Sequence, residues 1–195
     1  MVTRRGRGRP PGESDSRARI AAAAVHEFGE HGYEGATVRA IATRAGVDAA
    51  LVHHYFGTKA DLFAEITDFP LRPDLEVPRI LRGPRDQVGE RIVRFVLEAF
   101  DRPDVRKRGV IVLRTAISGK LTAPLVTGFL SRELLPRIAA ELDSPDATLR
   151  ASLVASQIAG MLITRYIVKL PALADATIDE LVARVGPTIQ RYLFD

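Results

Sequence analysis

The chain has 195 residues, 46% of them hydrophobic and 27% charged, a balance that suits a folded body with a real core and excludes a chain too polar to collapse. It has no cysteine, which excludes disulfides, cysteine-ligated zinc and thiol catalysis and fits a reducing cytoplasm. The formal net charge of +4 sits wholly at the start, where Arg4, Arg5, Arg7 and Arg9 stand without an acid and the remainder is formally neutral.

Residues 1–13, rich in Arg, Gly and Pro, are predicted to be a disordered basic arm. They lack the apolar stretch of a signal peptide. Nowhere does an apolar run approach the ~20 residues of a membrane span, so no membrane partner is expected. Helical periodicity begins at Ser14 or Ser16, either of which can cap a helix carrying Ile20, Ala23, Ala24 and Phe28 on one side. Gly32 is a reasonable stop. Thr37 opens a second helix with Val38, Ile41 and Ala42; Gly46 breaks it, and Asp48 caps a third that ends at Phe56-Gly57. Thr58, with Asp61 three residues on, resembles a capping box and opens a fourth helix to about Asp68.

Pro70, Pro73, Pro78 and Pro84 then interrupt the chain, and the domain boundary is placed there: 14–68 as one domain, 69–195 as the other. Helical segments are expected at roughly 84–101, 104–118, 122–142, 146–170 and 177–193. Sustained two-residue alternation is absent, so the fold class is all-α.

The segment Thr37 to Phe56, TVRAIATRAGVDAALVHHYF, reads as two short helices joined by a tight turn at Ala45-Gly46-Val47. Ile41, Ala45, Val47, Val52 and Phe56 make the small core that fixes their crossing. A second helix held this way can lie in a DNA major groove, although an ordinary helical hairpin has the same pattern. Two details favour DNA. His53, His54 and Tyr55 stand in a row on one short helix, so some must be exposed, where they can donate to phosphate or stack on sugar. Lys59 lies in the first turn of the fourth helix, where a cation opposes the helix dipole but suits a phosphate held by the same N-terminus.

Residues 20–63, with Phe28, Gly32, Thr37, Ile41, Ala42, Ala45-Gly46-Val47, His54-Tyr55-Phe56, Lys59 and Leu62-Phe63, resemble the DNA-binding domain of the tetracycline-repressor (TetR) family. The rest of the chain resembles that family in length and helical layout. The resemblance implies a helix-turn-helix domain followed by a helical domain for effector binding and dimerisation, and a repressor released from a palindromic operator by a small molecule. It implies duplex DNA, a second copy of the chain and an unnamed effector as partners, with no cofactor. The expected DNA-contacting set is Thr37, Val38, Asp48, Ala49, Ala50, His53, His54, Tyr55, Thr58 and Lys59. His53 stands where the family often has a phosphate-contacting Tyr, and Ala49 and Ala50 leave few hydrogen bonds for base readout. Arg7 and Arg9, in an Arg-Gly-Arg-Pro core like an AT-hook, either enter a minor groove or act as an electrostatic tether.

Family members dimerise through their last two helices. Here Ala151, Ala155 and Ala159, with Gly160, form a small-residue stripe that suits either a dimer contact or intrachain packing, and Ile178, Leu181, Val182, Val185 and Ile189 give the last helix an apolar face. An effector pocket in such a fold falls among Phe95, Phe100, Leu113, Arg114, Ile117, Gln157 and Met161, with Tyr166 as a further candidate. Arg114 shares a face with Val110, Ile111 and Ile117; if buried it needs an anionic partner, whether a ligand carboxylate, an internal acid or water at the helix edge. Catalysis is not expected. All four histidines (26, 31, 53, 54) fall in the first domain without a spacing typical of a metal site, so no metal is expected.

Overall fold

The computed structural model describes residues 11–68, 71–118 and 123–195, and every regular element among them is helical. Arg7 and Arg9 lie outside the described residues. Helix α1, Pro11–Gly35, begins ahead of the Ser14 or Ser16 expected from sequence and is broken at Gly32 (φ 70°, ψ 177°) one turn before its end. α2 (Val38–Ala45), α3 (Ala49–Phe56) and α4 (Lys59–Thr67) follow in quick succession. α5 (Pro73–Leu81) accommodates Pro78 in its interior.

A 3₁₀ turn, Arg85–Gln87, leads into α6 (Val88–Asp101) and α7 (Pro103–Ser118). The single helix expected over 122–142 is instead α8 (Ala123–Phe129), a π turn (Leu130–Leu134) and α9 (Leu135–Ala139), the last opening on Pro136. α10 (Ala147–Leu162) runs on through a π turn (Ile163–Val168); short α11 (Pro171–Asp175) and then α12 (Ile178–Phe194) follow.

Two apolar cores result. The first joins Ile20, Phe28 and Tyr33 of α1 to Ile41, Val52, Phe56, Leu62 and Phe63, and it includes Phe129 from the end of α8, which is fully buried there. Phe129 stacks on Phe63 (centroids 5.0 Å) and meets Tyr33 edge-on at 5.4 Å. The second core is built from α5, α6, α9, α10 and α12 around Val93, Leu97, Val154 and Leu193. Its tightest point is the crossing of α6 and α12: a Cβ on Gly89 would lie 2.2 Å from the Gly186 carbonyl oxygen. Gln190 seals this crossing by accepting from the Gly89 amide (2.8 Å) and donating to the Arg85 carbonyl (2.8 Å).

Two sequence expectations change here. Ala151, Leu181, Val182 and Ile189, expected at a dimer interface, are buried in the chain's own second core, which for Ala151 is the intrachain packing that its stripe also allows; Ala155, Ala159, Ile178 and Val185 are half-buried. The continuous helix Ala147–Val168 is 22 residues long with mean hydropathy 1.4, long and apolar enough to span a membrane, contrary to the expectation that no run approaches that size. Interspersed Ser and Gln hide this in the sequence. Ala151, Val154, Met161 and Leu162 of that helix are buried inside the protein, while Leu149 (59% exposed) and Leu153 (37%) face outward.

Candidate nucleic-acid interface

The pair α2–α3 is shaped by its caps. Thr37 Oγ1 accepts from the Ala40 amide (3.1 Å) and Asp48 Oδ1 from the Ala50 amide (2.7 Å). Between them Gly46 (φ 65°, ψ 40°) sits in the left-handed region that a side chain would resist, and its amide and that of Val47 close the end of α2. Thr58 and Asp61 form a full capping box at α4, with both bonds near 3 Å. Each signal read from sequence is thus used as a cap.

Capping also decides what these side chains offer a ligand. Thr37 and Thr58 accept through oxygen, so each hydroxyl hydrogen is left to donate, as a phosphate requires. Asp48 is an anion spent on its own helix, and its part in the site is to hold the N-terminus of α3. Val38 packs partly against the first core, as do Ala49 and Tyr55, whereas Ala50, His53 and His54 are exposed. His53 Nδ1 lies 2.8 Å from the Gly57 carbonyl oxygen, which can only accept, so Nδ1 donates in this contact.

Lys59 is less free than the sequence implies. It is half-buried, its Nζ lies 4.6 Å from the Tyr33 ring centroid and 3.5 Å from the Glu34 carbonyl oxygen, and burial draws its pKa below the usual lysine value. Beneath it Tyr33 donates to Glu133 at 2.6 Å, and Arg132 makes paired bonds to Glu34 (2.8 and 3.0 Å). The π turn after α8 is therefore tied to α1 next to the cation expected to touch DNA. Burial, and then the bond to Glu133, push the Tyr33 phenol pKa up.

Sequence reasoning missed the outer face of α2. Arg39 and Thr43 are exposed and, with Thr37, Ala40, Arg44, Glu27 and His31, line an open groove between α1 and α2. The signal was present: positions 39 and 43 are the complement of the buried set Ile41, Ala42 and Ala45.

The expected effector residues do not converge. Arg114 is exposed, and lines an open groove on α7 with Pro103, Arg106, Lys107, Val110 and Ile111; Ile111 is 56% exposed. Arg114 does not meet the condition of burial, since on the face it shares Ile111 is open to solvent and Val110 only half-buried. Phe100 and Met161 are buried, Phe95, Leu113 and Gln157 half-buried, and the Ile117 side chain is outside the described residues. Phe100 lies 5.3 Å from the Tyr166 ring, and the Tyr166 hydroxyl is buried without a hydrogen-bond partner among the described residues.

Comparison with known proteins bears on the whole chain. Residues 20–66 match the family model "Bacterial regulatory proteins, tetR family", and residues 86–193 match "Tetracyclin repressor-like, C-terminal domain". The crystal structure of a TetR-family regulator from Streptomyces coelicolor A3 is 32% identical and superimposes with a TM-score of 0.55, covering 97% of this chain and 100% of that one. The HTH-type transcriptional regulatory protein RaaS of Mycobacterium tuberculosis is 54% identical over 52 residues, 27% of this chain and 24% of that protein. The HTH-type transcriptional regulator BetI of Agrobacterium fabrum is 44% identical over 71 residues, 34% of each chain. The chain thus spans about a quarter to a third of the length of these curated relatives.

Proposed function

Because the chain belongs to the TetR family of helix-turn-helix transcriptional regulators, we propose that it is a cytoplasmic repressor that binds a palindromic operator as a dimer and is released by a small molecule. Residues 14–68 form the reading domain and 69–195 the effector and dimerisation domain. The observation that carries this is α3 itself. Val52 and Phe56 anchor it inward, while Ala50, His53 and His54 form an exposed outward edge. In this reading Ala49 and Ala50 meet base edges, and Thr37, His53, His54, Tyr55, Thr58 and Lys59 meet phosphate or sugar, with Arg39 added to them. Val38 packs against the first core and Asp48 caps α3. Arg7 and Arg9 either enter the flanking minor groove or tether the chain electrostatically.

The second copy docks on α10 and α12. Leu149, Leu153, Ser156 and Gly160 recur at helical spacing on the outer face of α10 and carry no charge, which suits close approach of a partner helix. Half-buried Ala155, Ala159, Ile178 and Val185 border that face. The effector is received near Phe100 and Tyr166, where a buried phenol hydroxyl lacks a partner among the described residues.

Selection of bound duplexes from random DNA tests the reading. The expected product is a two-fold palindrome with half-site centres about 34–36 Å apart or modestly more. A monomer on one asymmetric half-site overturns it. Lys59→Met keeps the stem over Tyr33 and removes the charge, and should lower the salt slope of binding by about one unit. An unchanged slope removes Lys59 from the phosphate contacts.

A further inference from the structure

The segment His26-Glu27-Phe28-Gly29-Glu30-His31 places two pairs of metal-ligating side chains one helical turn apart: His26 with Glu30, and Glu27 with His31. In the structure the four meet on one patch of α1. His26 Nδ1 lies 3.0 Å from Glu30 Oε2, and His31 Nε2 lies 3.7 Å from Glu27 Oε2 and 3.8 Å from Glu30 Oε2. Single donor atoms of His26, Glu27 and Glu30 all fall within 4.8 Å of one another. Four donors about 2.0–2.2 Å from a tetrahedral ion stand roughly 3.3–3.6 Å apart. The three pairs, at 3.0, 3.7 and 3.8 Å, bracket that value; His31 stands outside the three-residue group, so its ring must turn toward His26 to complete the shell.

The patch also has a resident cation. Arg44, in the last turn of α2, donates to Glu27 Oε1 at 2.6 Å and to Glu30 Oε2 at 3.3 Å, and its Nη1 lies 3.4 Å from His26 Nε2. Glu27 is only 5% exposed, a buried acid among otherwise apolar core residues, and the Arg44 bond holds its carboxyl below the usual range. With neutral imidazoles, two carboxylates and one guanidinium leave one negative charge uncompensated, which a divalent ion can neutralise.

We propose that His26, Glu27, Glu30 and His31 form a binding site for a divalent transition-metal ion, with Arg44 as its built-in competitor. Imidazole and carboxylate without thiolate favour zinc, nickel or cobalt over calcium or magnesium. Arg44 holds Glu27 through Oε1, which leaves Oε2 facing His31 for the ion, so the metal need only take Glu30 and His26 from the guanidinium. Binding would loosen one of the clamps between α1 and α2. The site is separate from the repressor reading and stands whether or not that reading holds.

Tag-free full-length protein titrated with cobalt(II) provides the test, read by visible d–d absorption, with zinc then displacing the cobalt. One ion per chain is expected. His26→Ala and His31→Ala should each weaken binding about tenfold or more, and Arg44→Met should tighten it. Arg44→Met leaves Glu27 buried without its partner, so its melting temperature should fall and recover on adding zinc by more than the native protein gains. Far-UV circular dichroism confirms that each variant is folded. Binding that survives the combined His26→Ala and His31→Ala change overturns the proposal. So does absence of saturable binding at millimolar metal in both the native protein and Arg44→Met, which would leave the patch an ion-pair clamp alone.

Discussion

The two cores are specified in different ways. Around the first, α2, α3 and α4 each open on a side chain that caps them, Thr37, Asp48 and Thr58. Around the second, α5, α6, α9, α10 and α11 open with no side-chain cap bond, and α12 alone among these has a capping box, Thr177 with Glu180. The second region also carries Pro78 and Pro187 inside helices and π turns at Leu130–Leu134 and Ile163–Val168. Helices that must point a side chain at a fixed angle are set by local chemistry. Helices that surround a core are set by what they pack against, whatever their length, and tolerate irregularity because tertiary contacts outweigh it.

The sharpest way to break this contrast is Phe129→Ala. The residue belongs to the later part of the chain but fills the first core, so its loss should cost about 3–5 kcal/mol in urea unfolding and strip hydrogen-exchange protection from α1 and α4. Unchanged protection there would mean that α1–α4 hold themselves together without it. Gly89→Ala acts on the other side. Its Cβ meets backbone of Gly186 and Gln190, which cannot swing away, so a loss of about 1–3 kcal/mol is expected, confined to α6 and α12. An effect equal in α1–α4 would show the cores to be one cooperative unit.

Cap removal is smaller. Thr58→Ala and Thr177→Ala each delete one capping box, worth about 1 kcal/mol; equal losses would make the two boxes equivalent, and a larger one at Thr58 would sharpen the contrast. Acid has the mildest effect. The Arg44 bond holds Glu27 below its ordinary 4.5, and the Arg132 bond does the same for Glu34. Below that value the unfolded chain binds the proton first, so stability present above about pH 4.5 should fall as pH drops toward the folded-state pKa values. Arg44→Met should flatten that fall; an unchanged acid limb would assign it to other carboxylates.

How much was legible follows the same divide. Thr37, Gly46, Asp48 and Thr58 with Asp61 were readable because each acts on residues within four positions. So was the exposed edge of α3, since three polar or aromatic neighbours cannot share one core. Burial against a distant partner was not readable. Apolar spacing says that a face is covered but not by what: the spacing of Leu181, Val182 and Ile189 suits a second copy of the chain as well as the α6 and α10 that cover them, and the spacing around Arg114 does not say whether that face is open. The patch at His26–His31 is not legible from histidine spacing alone, because the glutamates between them supply half the donors.

Phe129 has one more consequence, in the order of synthesis. As the chain leaves the ribosome, α1–α4 emerge complete by Thr67, but the last ring of their core lies about sixty residues further on. At about 5–20 residues per second that is a delay of roughly 3–12 s. Until then Tyr33 and Phe63 face solvent where Phe129 will later stack. The region with the clearest local instructions thus still waits on a distant residue to finish, and nascent chains stalled between positions 70 and 125 should present an open aromatic face to any chaperone in reach.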